Sequence, residues 1–320
     1  MSTAMPKRYC KIEVKDPQGN VRTFLNQDSL GPRIDFFVIR KTQTFQNGFS
    51  TAEIKIYNLA ARGENNSFDF LKTKGLEISM ICGTQGIRNG VIDQIFNGYV
   101  YTVLRTKEGP DIITILYCST VDPENPKTAL TLSKSYKQIK LRALLKEIAD
   151  DMGMELVLGG NYYNDVIITK RSYAEDCKMV LDELAQTYEF NWEIRGNKLY
   201  IFKIDDNNTN TRVFEFNRSS GLLKPPIVTE KGVDIEIFLQ PNINPADRFI
   251  LQSEFATFNL GALQFQDRIS SKISIGFIRT INDNRYTGNF QTLFLVHQGS
   301  THTDEWKTRI EGYLQGLEAA

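Results

Sequence analysis

The chain has 320 residues, 41% of them apolar and 24% charged, with 20 Phe and 13 Tyr; this excludes disorder and leaves room for two or three domains with aromatic-rich cores. Lys plus Arg and Asp plus Glu each number 38. No surplus of positive charge therefore supports a tight, counterion-releasing grip on nucleic acid, while weak self-repulsion suits a subunit that packs against copies of itself.

Tyr9–Lys15 and Val21–Phe24, on either side of Asp16-Pro-Gln-Gly-Asn20, predict a β-hairpin. Ile34–Lys41 predicts a strand. Ala52–Tyr57 alternates apolar and polar residues with period two, so it predicts a strand with one packed and one wet face, and Asn47-Gly48 between the two marks a turn. A polar stretch over 60–67 leads into one or two helical turns at Phe68–Thr73, then strands over Leu76–Cys82, Ile92–Leu104 and Asp111–Cys118. Strands at this spacing predict a closed or sandwiched antiparallel sheet.

Pro123 and Pro126 mark a first boundary, after which the apolar spacing turns helical. Leu141, Leu144, Leu145, Ile148 and Met152 form one stripe that Gly153 is placed to terminate. Ser172-Tyr-Ala-Glu175 fits a capping box for a second helix carrying Cys177, Val180, Leu181, Leu184, Ala185 and Tyr188 on one side. Strands are predicted at Glu155–Leu158, Val166–Thr169, Phe190–Ile194 and Leu199–Phe202, the last two joined by a tight Arg195-Gly-Asn197 loop. Together these make a compact α/β unit in which two helices cover one face of a small sheet.

The polar run Asp205–Thr211 marks a second boundary, and strands resume at Val233–Leu239, Phe249–Ser253, Ile273–Ile278 and Gln291–His297, with a protruding loop around 282–289. The expected architecture is mainly β with an α/β insert: two tube-like antiparallel β-barrel domains, 1–122 and 206–320, separated by a small helix-containing domain, 123–205.

Chemistry is sparse. Cys10, Cys82, Cys118 and Cys177 lie too far apart for a CxxC motif and read as small buried apolar groups made in a reducing compartment. His297 and His302 could bind a metal with Asp304 or Glu305, but a strand-end histidine followed by a polar loop is the plainer reading. Ser300, His302 and Asp304 are too close in sequence for the geometry of a catalytic triad. No GxSxG, Walker A or dinucleotide fingerprint occurs, and no cofactor is expected. A glycosidase-like carboxylate pair stays open, because a sequence does not show the separation. Phe36, Phe37, Tyr57, Trp192, Tyr200 and Phe202 fall inside predicted strands without a basic surplus beside them, as sheet-packing residues do. Met1–Arg8 lacks an apolar signal core, and no segment reaches the roughly 20 apolar residues that span a bilayer, so no membrane embedding is expected.

Phe49-Ser-Thr-Ala-Glu-Ile-Lys-Ile-Tyr-Asn-Leu59, Gly75–Gly83, Ile95-Phe-Asn-Gly-Tyr-Val-Tyr-Thr-Val103, the helices at Leu141–Ala149 and Leu181–Ala185, Gly221–Val233 with Leu239-Gln-Pro241, and the ending Val296-His-Gln-Gly299 with Trp306-Lys-Thr308 follow one another in a specific order. In that order the chain resembles the baseplate hub proteins of contractile-tailed phages, a family that also takes in the domains at the base of type VI spikes. The resemblance implies a homotrimer whose two tube-like domains per subunit form a pseudo-sixfold ring between a sixfold tail tube and a threefold central spike. It implies as partners the spike, the tail tube protein, wedge or other baseplate proteins and a tape-measure protein. DNA enters only as transported cargo, the location is the virion tail baseplate after synthesis in the host cytoplasm, and any spike or lysozyme is a separate polypeptide. On the same resemblance the interface candidates are Ile54, Ile56 and Tyr57 with Val233, Ile235 and Phe238, each of which could equally be barrel core. Alternation puts Ile54 and Ile56 on one face and Tyr57 on the other, and His297 and Trp306 are expected to support domain packing. The alternatives are another tube-end or tape-measure-binding adaptor, or a tail-associated cell-wall hydrolase.

Overall fold

The computed structural model describes residues 7–27, 30–41, 49–59, 67–85, 90–122, 124, 126–160, 163–203, 212–229, 232–258 and 286–315. The chain opens on the expected hairpin, β1 (Lys7–Lys15) and β2 (Val21–Gln27), whose turn is tied by Asn20 donating from its backbone and side-chain nitrogens to the Asp16 carboxylate at 2.7 and 2.8 Å. Next come β3 (Ile34–Lys41), β4 (Thr51–Tyr57), a short helix α1 (Ser67–Leu71), β5 (Glu77–Gln85), β6 (Ile92–Glu108) and β7 (Asp111–Ser119). Strands β1, β3 and β4 show the period-two burial that their sequence alternation dictates.

The middle of the chain holds β8 (Thr131–Lys140), α2 (Leu141–Asp151), β9 (Glu155–Leu158), β10 (Ile167–Asp176), α3 (Cys177–Tyr188), β11 (Asn191–Arg195) and β12 (Lys198–Phe202). The apolar stripe of α2 is buried as its spacing predicts, and Gly153, at a φ of +65°, ends the helix by donating its N–H to the Asp150 carbonyl. Three expectations need correction. The run after Lys127 forms a 3-10 turn and then strand β8 before any helix; β8 is a polar ribbon exposed on alternate residues, so it carries little apolar signal. Ser172 and Glu175 do not cap α3: they sit in β10, opposite Ser135 and Leu132 of β8, and the N-cap is Asp176 without a side-chain cap bond. Cross-strand pairing satisfies the backbone groups that the capping box would have served. The small sheet is also divided, into the β8–β10 ribbon and a three-stranded sheet in which β9 runs parallel to β12 and β12 antiparallel to β11.

The rest of the chain supplies β13 (Val213–Phe216), β14 (Ile227–Val228), β15 (Gly232–Phe238), β16 (Arg248–Ser253), β17 (Thr257–Phe258), β18 (Tyr286–Ser300) and β19 (Trp306–Leu314). The Asn47-Gly48 turn, the polar run 205–211 and the predicted strand Ile273–Ile278 lie outside the described residues, as does the first half of the predicted loop; its second half, 286–289, is not loop but the start of β18, paired with β16. The strands from both ends of the chain join one 14-stranded sheet, ordered β17-β14-β15-β19-β18-β3-β4-β7-β6-β5-β1-β2, with β16 on β18 and β13 on β16. Strand β18 makes the join: along one edge it pairs with β16 through Gln291 and then with β3 from Phe294 to Ser300, while β19 follows its other edge.

Three apolar cores result. One fills the α/β unit between α2, α3 and strands β11 and β12. A second lies under β1 and β3–β7, and a third under β15, β16, β18 and β19. Trp306 belongs to the second core although it begins β19, the last strand, packing edge-on against Phe36 with ring centroids 5.4 Å apart. Gly299 is what allows this: a β-carbon there would sit 2.5 Å from the Phe36 ring and 2.7 Å from the Trp306 ring. Gly299→Ala should therefore cost about 1–3 kcal/mol by overpacking, read as a lower urea midpoint at unchanged slope.

Candidate functional site

Register through the sheet creates one continuous outer face. Opposed residues run Phe238, Lys307, Gln298, Phe37, Glu53, Tyr117 and Thr102, crossing β15, β19, β18, β3, β4, β7 and β6 without a break. Phe238 is 59% and Phe37 41% exposed on this face, and Leu104, 49% exposed, and Tyr101 continue the apolar exposure along β6. A cavity of about 670 Å³ opens beside Phe238, bounded by Leu223, Trp306, Arg8 and Thr84.

Several charges on this face are paired with one another. Arg33 pairs with Asp35 at 2.7 Å, Lys55 with Glu53 at 3.2 Å, Arg309 with Asp234, and Glu236 with Lys224 at 2.9 Å and Lys307 at 3.6 Å. Burial pushes the Glu236 carboxyl up, but the two ammonium groups outweigh it and leave the group below the ordinary carboxylate range. Asp35 behaves likewise: hydrogen bonds from Arg33, Ser300 and Tyr57 overcome its burial. Each exposed pair contributes little stability; their effect is to cancel the field of the face.

The interface candidates divide between the two sides of the sheet. Ile54, Ile56, Val233 and Ile235 are core, each no more than 1% exposed. Tyr57 lies on the outer side, its hydroxyl donating to Asp35 at 2.9 Å under the Arg33 guanidinium, and burial with that carboxylate pushes its phenol up to about 12. Phe238 faces outward, opposite to Val233 and Ile235, so those three do not form one patch. His297 and Trp306 both point inward. His297 is fully buried, with Nδ1 2.9 Å from Thr308 Oγ1, and burial together with the Arg40 charge pulls its imidazole down to about 3. Trp306 donates from Nε1 to Thr84 at 3.1 Å and carries the Arg8 guanidinium 5.4 Å from its ring centroid, so it pins the last strand onto the second core, under β1 and β3–β7.

A buried charge network, absent from the expectations above, braces the sheet to the α/β unit. Arg40 ends the inward series Ile34, Phe36, Val38 on β3 and reaches Glu193 of β11 at 3.4 Å; the two side chains are 8% and 1% exposed. Arg195 closes the other Glu193 oxygen at 2.7 Å, stacks over Tyr200 and donates to the Pro245 carbonyl. Alternation hides it: Glu193 stands between Trp192 and Ile194 and takes the face of β11 opposite those two core residues, a face that a period-two reading leaves to solvent.

None of this assembles catalytic geometry. Ser300 Oγ donates to Asp35 at 2.6 Å, and the His302 ring meets Thr301, so Ser300, His302 and Asp304 do not align as a triad. Among the described residues no three or more His, Cys, Asp or Glu side chains cluster as metal ligands, and no helix is long and apolar enough to cross a membrane.

Two solved structures with this architecture are tail proteins. A tail protein from Neisseria meningitidis MC58 superposes with a TM-score of 0.58 over 96% of this chain and 97% of its own, at 9% identity. The 43 kDa tail protein of prophage MuSo2 from Shewanella oneidensis gives 0.51 over 95% and 96%, at 8% identity. At such identities the likeness speaks for the fold. No curated protein sequence matches. The profile of the family described as baseplate hub gp41, in contrast, matches residues 41–260, a span that runs from the end of β3 through the α/β unit and past β16. With more than half of its length matched, the chain is a member of the baseplate hub gp41 family, a structural component of phage tails.

Proposed function

We propose that three copies of this chain close into a ring in which segments 1–122 and 206–320 of each subunit serve as two tube-like domains around the α/β unit 123–205. Six such domains then match a sixfold tail tube, while the threefold ring matches a central spike, so duplication inside the subunit resolves the symmetry mismatch. The observation that carries this reading is the unbroken outer face built over two separate cores by one sheet. It gives each subunit two sheet-built surfaces in fixed relation.

In this reading the spike, the tube, other baseplate proteins and a tape-measure protein are the partners, and the subunit is made in the host cytoplasm and works in the virion without catalysing a reaction. DNA passes through as cargo. The mutual pairing of charges on the outer face supports such a conduit, because a wall without surplus positive charge does not hold phosphate. Phe238, exposed and apolar, is the contact residue of choice.

Light-scattering mass measurement of the purified protein, followed by averaged electron-microscope images, tests the reading. The expected particle is a threefold annulus with six similar lobes. Phe238→Asp should shift the mass at least tenfold in concentration toward the single subunit while leaving the unfolding midpoint in place, since its side chain is outside the core. A compact monomer at all concentrations overturns the proposal, and a sixfold ring with one lobe per chain transfers it to a tube-end adaptor.

A further inference from the structure

We propose that Cys10 and Cys82 are a latent disulfide site, closed by a small peroxide, that covalently ties the edge hairpin β1–β2 to the rest of the sheet. The two residues stand directly opposite each other in the antiparallel β1–β5 ladder, and their sulfurs already lie 3.2 Å apart as free thiols. Opposed residues in such a ladder have α-carbons roughly 4.5–5.5 Å apart, inside the window that a disulfide requires. Closing the bond therefore takes a small side-chain rotation with no backbone shift. Cys118 and Cys177 have no such partner: both are buried, and neither faces another cysteine in its ladder or helix.

The site is enclosed but not remote. One step further along the same inward face, Arg8 and Thr84 are the next opposed pair of that parity, and both line the cavity of about 670 Å³ beside Trp306. A peroxide in that cavity is one residue layer from the sulfurs. One thiol sulfur attacks a peroxide oxygen and becomes a sulfenic acid, releasing water; the second sulfur displaces hydroxide from the first, the S–S bond forms, and the departing hydroxide takes the remaining thiol proton as a second water. Two sulfurs are oxidised and the two peroxide oxygens are reduced. Burial pushes the Cys82 thiol well up, which keeps the pair slow to react in a reducing compartment, whereas the neutral disulfide carries no charge for burial to oppose.

The structural effect follows from topology. Among the described residues β2 is the terminal strand of the sheet and pairs with β1 alone, so the bond would stop this hairpin from peeling away. The test uses the purified full chain titrated with hydrogen peroxide, then quenched, denatured, alkylated and digested. Peptides containing Cys10 and Cys82 should be recovered joined while Cys118 and Cys177 are recovered alkylated, the intact mass should fall by two hydrogen atoms, and a dithiol reductant should reverse both. Cys82→Ala should abolish the mass loss, and the oxidised wild type should unfold several degrees higher. Stable sulfinic acid at either residue, alkylation of both after Cys118 or Cys177 has reacted, mass loss that persists in Cys82→Ala, or an unraised unfolding temperature would each overturn the proposal.

Discussion

Glu193→Leu is expected to destabilise the protein by about 3–5 kcal/mol, because it leaves the Arg40 guanidinium charged in the interior without the carboxylate that faces it. Arginine does not escape by losing its proton; burial lowers the affinity of Arg40 for its proton, yet the group starts far above neutral pH. The structure then has to hydrate the site by opening the contact between the sheet and the α/β unit. Arg40→Met combined with Glu193→Leu should recover most of the loss, since apolar side chains of similar size fill the same volume without a charge to desolvate. Urea unfolding of the two single variants and the double variant measures the coupling directly. If Glu193→Leu alone stayed within 1 kcal/mol of wild type, the network would have to be solvated and the brace would not exist.

Mild acid should be the second strong perturbation, acting through His297. Its imidazole is held near 3 in the folded state against about 6.5 when unfolded. The sign is that of a depressed base: above about 6.5 neither state is protonated and the full stability is present; below it the unfolded chain takes a proton that the folded chain refuses. Stability then falls by about 1.4 kcal/mol for each pH unit down to about 3, or about 3 kcal/mol near pH 4.5. Asp247 opposes this in part, because burial raises its carboxyl so that the folded state protonates first. Asp35, held low, adds a further loss only beneath the ordinary carboxylate range. Comparing the pH dependence of the unfolding midpoint in wild type and His297→Gln isolates the histidine, and equal slopes between pH 5 and 6.5 would refute the assignment.

Periodicity carried most of the elements. Alternation in Ala52–Tyr57 put Ile54 and Ile56 on one face and Tyr57 on the other, the fold turned the first face into core, and the 3.6-residue spacing of Leu141–Met152 gave α2 with its glycine stop. What periodicity does not specify is the neighbour. That residues 294–300 lie beside 35–41 is invisible locally, because alternation assigns a face and says nothing about which strand pairs with which. Local motifs failed where long-range pairing competed for the same backbone groups, as Ser172 and Glu175 show by serving the β8–β10 ladder. Arg40 was legible as a charge in an inward position of β3, whereas Glu193 takes the face opposite Trp192 and Ile194; their meeting needed the fold. Phe238 could have been separated from Val233 and Ile235 by counting, since it shares the parity of Asp234 and Glu236.

The handover of β18 from β16 to β3 also bears on how the chain is made. Until residues 294–300 leave the ribosome, the edge of β3 that they cover has no ladder partner. At ordinary elongation rates that interval lasts on the order of ten seconds to a minute. An uncovered strand edge is a template for pairing with a neighbouring nascent chain. Slow translation past residue 41 thus carries an aggregation risk that a chaperone shielding that edge would relieve.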